Sequence, residues 1–224
     1  MSEIDINANV PGYGDNPIVV KNHLWYDCSF GKVKTQCESR YSIDPVKDYL
    51  KNQKDGIFVE IGVFGGATLL GIYETCKANN IKIYGIDPFE NINIFNGASE
   101  EDTNKDIALL AREDARDRKN NLLEIIEQHK LDINIIQKES WQAYQEFENN
   151  SNTCIHVDGD HSHEGVKKDL NLFWKKIKSG GMILNDDYYW ESCAKAINEF
   201  VSDNKHDIVI GEKQFPSKHL MFKK

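Results

Sequence analysis

Four short acidic clusters hold most of the chemistry this sequence can do. Glu60 opens the run Glu60-Ile-Gly62-Val-Phe-Gly65-Gly66, and Asp87 stands directly before Pro88. Asp158 and Asp160 flank Gly159 ahead of His161, and Asp186 and Asp187 are adjacent. Glycines let a backbone approach a ligand closely and take dihedrals closed to other residues. Asp158-Gly-Asp160 is also a D-x-D pair of the kind that holds a metal and a nucleotide sugar in glycosyl transfer. Cys154, His156, His161 and His163 suggest zinc by residue type. Alternate strand positions and a helix start, however, make poor tetrahedral geometry, and nearby carboxylates favour a harder ion. His156 reads instead as a satisfied core residue within its strand.

The elements that must position these groups alternate in kind. A short helix (Pro45 to Asn52) precedes an apolar run at Ile57–Ile61 that reads as a buried strand. The pattern continues with a helix from Ala67 to Lys77, a strand from Ile81 to Ile86, and a charged helix from Glu100 to His129. A strand at Ile133–Ile136, a helix from Trp141 to Phe147 and a strand at Cys154–Val157 follow. Glu164 to Lys178 reads as a helix stopped by Ser179-Gly180-Gly181, before a strand at Met182–Leu184. A helix from Trp190 to Asn204 and strands at Ile208–Ile210 and His219–Phe222 complete the chain. Such alternation predicts a doubly wound α/β fold with a mostly parallel seven-stranded sheet and an antiparallel C-terminal strand.

Ligands of an open parallel sheet bind outside the carboxyl ends of its strands, where all four acidic clusters fall. Asp often ends a strand only because it caps the next helix, so one acidic end alone carries little weight. Four in succession on one rim point past capping. Residues 1–44 are different: they are rich in turn formers and carry Tyr13, Trp25, Tyr26, Phe30 and Tyr41. They read as an irregular arm or a lid beside the domain of residues 45–224.

The pattern E-x-G-x-x-x-G, followed one strand later by Asp87, lacks the spacing of the dinucleotide fingerprint. It resembles the class I S-adenosylmethionine-dependent methyltransferases. Asp158-Gly-Asp-His161, followed by Gly180-Gly181-Met-Ile-Leu-Asn-Asp186-Asp187-Tyr188, is similar to their metal-dependent O-methyltransferase branch. The likeness is greatest to enzymes acting on sugars of macrolide and aminocoumarin products, and it spans residues 55–190. It implies a Rossmann-like methyltransferase fold in which Glu60, Gly62, Gly65, Gly66, Asp87, Ser140 and Asp158 bind S-adenosylmethionine. Within that set Glu60 would lie near the cofactor's amino end, and Asp87 would accept from both ribose hydroxyls, which suits a carboxylate.

The resemblance further makes Asp158, Asp186 and Asp187 ligands of Mg²⁺ or another divalent cation. The ion would bind a substrate hydroxyl, lower its pKa and aim the oxygen at the methyl group. His161 stands where catechol-type enzymes keep a lysine base. A neutral imidazole with a pKa of about 6.5 can take that proton, and Asp160 is the competing base.

Composition narrows the rest. The 224 residues carry 27 Lys and Arg against 36 Asp and Glu, a formal charge of −9 that argues against a nucleic-acid surface. The fourth strand also lacks the Asn/Asp-Pro-Pro-aromatic motif of base methylation. Five scattered cysteines, none in a C-x-x-C pair, read as reduced thiols of a cytoplasmic protein. No leader or membrane span is expected. The expected partner is a small molecule bearing a hydroxyl, with a carbohydrate as the acceptor and no membrane or nucleic acid. The sequence is compatible with a homo-oligomer. Rival readings are a metal-dependent glycosyltransferase and a catalytically silent cofactor-binding fold.

Overall fold

A computed structural model describes residues 4–5, 18–20, 23–27, 34–36, 40–90, 115–188, 190–210 and 219–223. Near the N-terminus, β1 (Ile4–Asp5), β2 (Ile18–Val20), β3 (His23–Asp27) and β4 (Lys34–Gln36) form an antiparallel sheet in sequence order. Helix α1 (Arg40–Leu50) then leads to β5 (Ile57–Ile61), α2 (Ala67–Ala78) and β6 (Lys82–Ile86). Next come α3 (Ala115–His129), β7 (Ile133–Ile136), the short α4 (Ser140–Ala143) and β8 (Asn152–Val157). Helix α5 (His163–Trp174), β9 (Ile177–Asn185), α6 (Glu191–Asp203), β10 (Ile208–Ile210) and β11 (His219–Lys223) complete the order.

The main sheet runs β10-β11-β9-β8-β5-β6-β7. Its five strands from β9 to β7 are parallel, while β11 lies antiparallel to both β9 and β10. The chain leaves β5 for β6 and β7 on one side and crosses back to β8 on the other. That reversal opens a crevice at the carboxyl ends of β5 and β8.

Period-2 alternation divides the strands between two cores. Phe58, Ile83, Cys154, Met182 and Leu184 pack toward α1, α2 and α3. Val59, Ile155, Ile183 and their neighbours pack toward α5 and α6 through Leu170, Phe173, Ile197 and Phe200. Both faces are covered, so the strands read as near-continuous apolar runs with exposed polar groups gathered at their ends.

Three elements depart from the sequence expectation. Helix α1 begins at Arg40 rather than Pro45: proline's fixed φ is helical, and its missing N–H removes one bond without ending the helix. Ser179-Gly180-Gly181 does not close a helix, because α5 ends at Trp174 and these residues lie within β9. Fully buried Ile177 already pairs with Asn152, and the next pair is Met182 with Cys154, so the extra residues of β9 bulge out at the glycines. The segment expected to be irregular carries β1 to β4, short strands separated by the turn formers that gave it its irregular look. Tyr13, Phe30 and residues 100–114 of the charged helix lie outside the described residues.

Candidate active site

The glycine loop leaves β5 in a conformation few residues can take. Gly62 has φ 83°, and a Cβ there would overlap the carbonyl oxygen of Asp158. The turn after β5 and the loop after β8 are therefore in direct contact. Gly66 has φ 80°, and a Cβ would overlap the Leu122 side chain of α3. Asp87 draws the loop across the end of β6. The N–H groups of Val63 and Phe64 both donate to its Oδ2 at 2.9 Å, and Phe89 N–H donates to Oδ1 at 2.6 Å. A carboxylate has about four acceptor positions, so the three backbone N–H groups leave Asp87 room for a further donor. Gly65 lies inside the same turn, closed by Gly66 N–H donating to Val63 O at 2.8 Å.

Two strands on, the carboxylates gather around histidines. Asp158 N–H donates to Ile61 O at 2.8 Å and Asp186 N–H to Val157 O at 3.0 Å, so continued sheet pairing fixes both strand ends. Asp187 takes φ 50° and donates its N–H to Asp186 Oδ1 at 2.7 Å. A left-handed aspartate is tolerated where its surroundings impose it. His161 Nε2 lies 3.0 Å from Asp187 Oδ2 and 3.5 Å from Asp158 Oδ1. Burial pulls the His161 pKa down, but hydrogen bonds and charge from Asp158 and Asp187 outweigh it and hold the ring well above its usual range. The two carboxylates that favour its charged form, Asp158 and Asp187, are also the expected cation ligands. Trp190 packs edge-on against it at 4.5 Å between centroids, and Ser192 Oγ donates to its carbonyl at 2.8 Å.

Within the sheet, His156 Nδ1 lies 3.0 Å from Glu60 Oε1, and its Nε2 lies 3.4 Å from Asp186 Oδ2. His156 is buried, as expected of a core residue, but it links two carboxylates. Two groups of mutually close donors result: His156, Asp158 and Asp186, and Asp158, His161 and Asp187. They share Asp158, and neither contains Asp160, Cys154 or His163 among the described residues. Carboxylate oxygens with two imidazole nitrogens are a donor set that fits a divalent cation.

A family model described as a methyltransferase domain matches residues 59–188, more than half of the chain and all of the site above except Trp190 and Ser192. The chain belongs to the methyltransferase-domain family. A curated relative, the uncharacterized protein R132 of Acanthamoeba polyphaga mimivirus, is 27% identical over 160 residues, or 67% of this chain and 62% of that one. The chain thus spans about three-fifths of the length of the curated relative it matches. The O-methyltransferase NovP superposes with a TM-score of 0.61 at 13% identity, covering 83% of this chain and 81% of its own. TomG, an O-methyltransferase of Streptomyces achromogenes solved with S-adenosylmethionine, gives 0.54 at 10% identity, covering 84% and 82%. CalS11, a TDP-rhamnose 3′-O-methyltransferase, gives 0.50 at 12% identity, covering 81% and 76%. At these identities the likeness is one of fold.

Two predicted site residues stand apart from the clusters. Asp160 accepts the N–H of Ser162 at Oδ1 and its hydroxyl at Oδ2, both at 2.9 Å. Ser162 in turn caps α5 by accepting Gly165 N–H at 3.1 Å, so Asp160 braces a helix start. Ser140, the first residue of α4, donates its hydroxyl to Asp169 Oδ1 at 2.5 Å. Burial pushes the Asp169 carboxyl up to about 7 against the pull of that hydrogen bond. Sequence reasoning missed Asp169, although it sits on the buried stripe of α5 with Val166, Leu170 and Phe173, where an acid is out of place. It also missed Arg118 of α3, whose guanidinium lies 4.2 Å from the Phe64 ring centroid above the glycine loop. An arginine in a helix of mixed charge gives no such signal.

Proposed function

We propose that the protein transfers a methyl group from S-adenosylmethionine to a hydroxyl of a small molecule, with a sugar or glycoside as acceptor, in the cytoplasm. One observation carries the reading: Asp158, Asp187 and His161 converge at the crevice where the turn of Gly62 touches the Asp158 loop. The sugar acceptor rests on the resemblance of the 158–188 segment to sugar O-methyltransferases and on the fold shared with CalS11. The compartment is supported by Cys76, Cys154 and Cys193, all buried free thiols.

In this reading the glycine loop and Glu60 face the methionine part of the cofactor, and Asp87 accepts one ribose hydroxyl at Oδ1 while Oδ2 holds the loop. Ser140 lies on the adenine side. Asp158, Asp186 and Asp187 would hold Mg²⁺ or another divalent cation. Such an ion, when bound, supplies the positive charge that makes an acceptor hydroxyl more acidic. His161 Nε2 faces the same point and is the proposed proton acceptor. Asp160 keeps α5 and the His161 loop in place. A glycosyl transferase would need Asp158 and Asp160 to act together, and the donor groups contain only the first.

The test is transfer of a labelled methyl group from S-adenosylmethionine to a panel of sugars and glycosides. Turnover should stop in excess EDTA and return with a divalent cation. His161→Ala should lose roughly 10²–10⁴-fold in rate while keeping its affinity for S-adenosylhomocysteine. Undiminished transfer in chelator would leave the aspartates as caps or direct acceptor contacts.

A further inference from the structure

Burial gives no reason for a histidine at position 156, where a leucine would fill the same place without two polar nitrogens. His156 is 0% exposed and Glu60 1% exposed, and buried polar groups are costly unless paired. Strand register explains how they meet. Glu60 is the partner of His156 across β5 and β8, and Leu184, two residues before Asp186, is its partner across β9. With a period of two, Glu60, His156 and Asp186 fall on one face of three neighbouring strands.

The chemistry follows from the order of the atoms. A carboxylate oxygen 3.0 Å from Nδ1 draws the ring proton to that nitrogen, which leaves the lone pair on Nε2. Nε2 lies 3.4 Å from Asp186 Oδ2, and His156, Asp158 and Asp186 offer donor atoms that all lie within 4.8 Å of one another. Two donors bound at about 2.0–2.2 Å to one ion stand roughly 3.0–3.5 Å apart, so the spacing suits joint ligation. A carboxylate holding the far nitrogen of a ligating imidazole is a recurrent outer layer of metal sites.

We infer that His156 is a nitrogen ligand of the cation site, oriented by Glu60, and that the site selects a borderline divalent ion such as Co²⁺ over Mg²⁺. This rests on the proposed cation at Asp158, Asp186 and Asp187 and changes its donor set. Imidazole suits transition ions, whereas an all-oxygen set suits Mg²⁺. Glu60 then serves the cation end of the crevice as a positioning residue.

The experiment titrates purified full-length protein with CoCl₂ and with MgCl₂, reading calorimetric affinity and the cobalt visible absorption. His156→Gln should lower Co²⁺ affinity by about 10–100-fold, change Mg²⁺ affinity less than about threefold, and alter the cobalt spectrum. Glu60→Gln, which keeps an oxygen for Nδ1, should retain the spectrum. If neither ion binds the native protein, the cation reading itself fails. If Co²⁺ binds and His156→Gln leaves its affinity and spectrum unchanged, the ion is real and His156 is not its ligand. Should His156→Gln not fold, pulsed EPR of Cu²⁺-loaded His161→Ala protein decides. Nitrogen coupling from an imidazole is expected there, and its absence would overturn the assignment.

Discussion

Removing the Asp87 side chain would do two things at once, because the carboxylate both latches the glycine loop and offers one remaining acceptor position. Val63 and Phe64 would lose their common acceptor, at up to about 1–3 kcal/mol for each part-buried donor left unsatisfied. Asp87→Ala should therefore weaken S-adenosylhomocysteine binding by roughly 2–4 kcal/mol, through loop and ribose together. The two parts separate with 2′- and 3′-deoxy analogues of S-adenosylhomocysteine. If Oδ1 holds a ribose hydroxyl, one analogue binds the native protein more weakly than the parent compound and the Asp87→Ala protein no differently. Equal losses in both proteins would leave Asp87 with the loop alone. Residue types and spacing made Asp87 and Asp158, directly after β6 and β8, and Asp187 and His161, a little further along, candidates in the sequence. What each side chain faces was not legible. The Glu60–His156 pair exists only through the register of β5 against β8, and no local pattern encodes register between strands so far apart in the chain.

Helix α5 shows the same contrast among elements. Its presence is plain in the sequence, yet its C-terminus is not, because Ser179-Gly180-Gly181 imitates a helix stop. Buried Ile177 decides the matter, and only packing reveals it. The α4–α5 contact has a pH signature. Asp169 titrates at about 7 in the fold against 3.8 for an aspartate free in water, with burial as the main cause, Ser140 and Lys168 opposing it and the Asp160 and Glu139 charges adding to it. Across that window the native state keeps a proton that the unfolded chain has lost, so stability falls as pH rises, by up to ~1.4 kcal/mol per pH unit. Above about 7 both states are ionised and the loss is complete. Asp169→Asn keeps an acceptor for the Ser140 hydroxyl and cannot ionise. Denaturant unfolding should show it gaining stability over the native protein as the buffer moves from pH 5 to pH 8. A variant with no such gain would show that Asp169 ionises normally within the fold.

At the scale of the molecule, two ligands are assigned to neighbouring ends of one sheet, and folding stability can report on each separately. A ligand that binds only the native state stabilises it by RT ln(1 + [L]/Kd), about 2.7 kcal/mol at a hundredfold excess over Kd. For a chain of this size each kcal/mol moves Tm by about 2–4 °C, so either ligand at that excess should raise Tm by roughly 5–10 °C. The alternation of strands and helices made the sheet legible, and with it the rim where both ligands would bind. The division of the rim depends on side chains: Asp87 serves the glycine loop beside β5, while Asp187 faces His161 beyond β9. That division predicts a crossed result in thermal melts. Asp87→Ala should lose most of the shift given by S-adenosylhomocysteine and keep the shift given by the divalent cation. Asp187→Asn should lose most of the cation shift and keep that of S-adenosylhomocysteine, with EDTA abolishing the cation shift in native protein. If Asp187→Asn retains the full cation shift, the ion binds elsewhere on a chain with 36 acidic residues, and the Asp158–His161–Asp187 group is an ion pair that orders the loop.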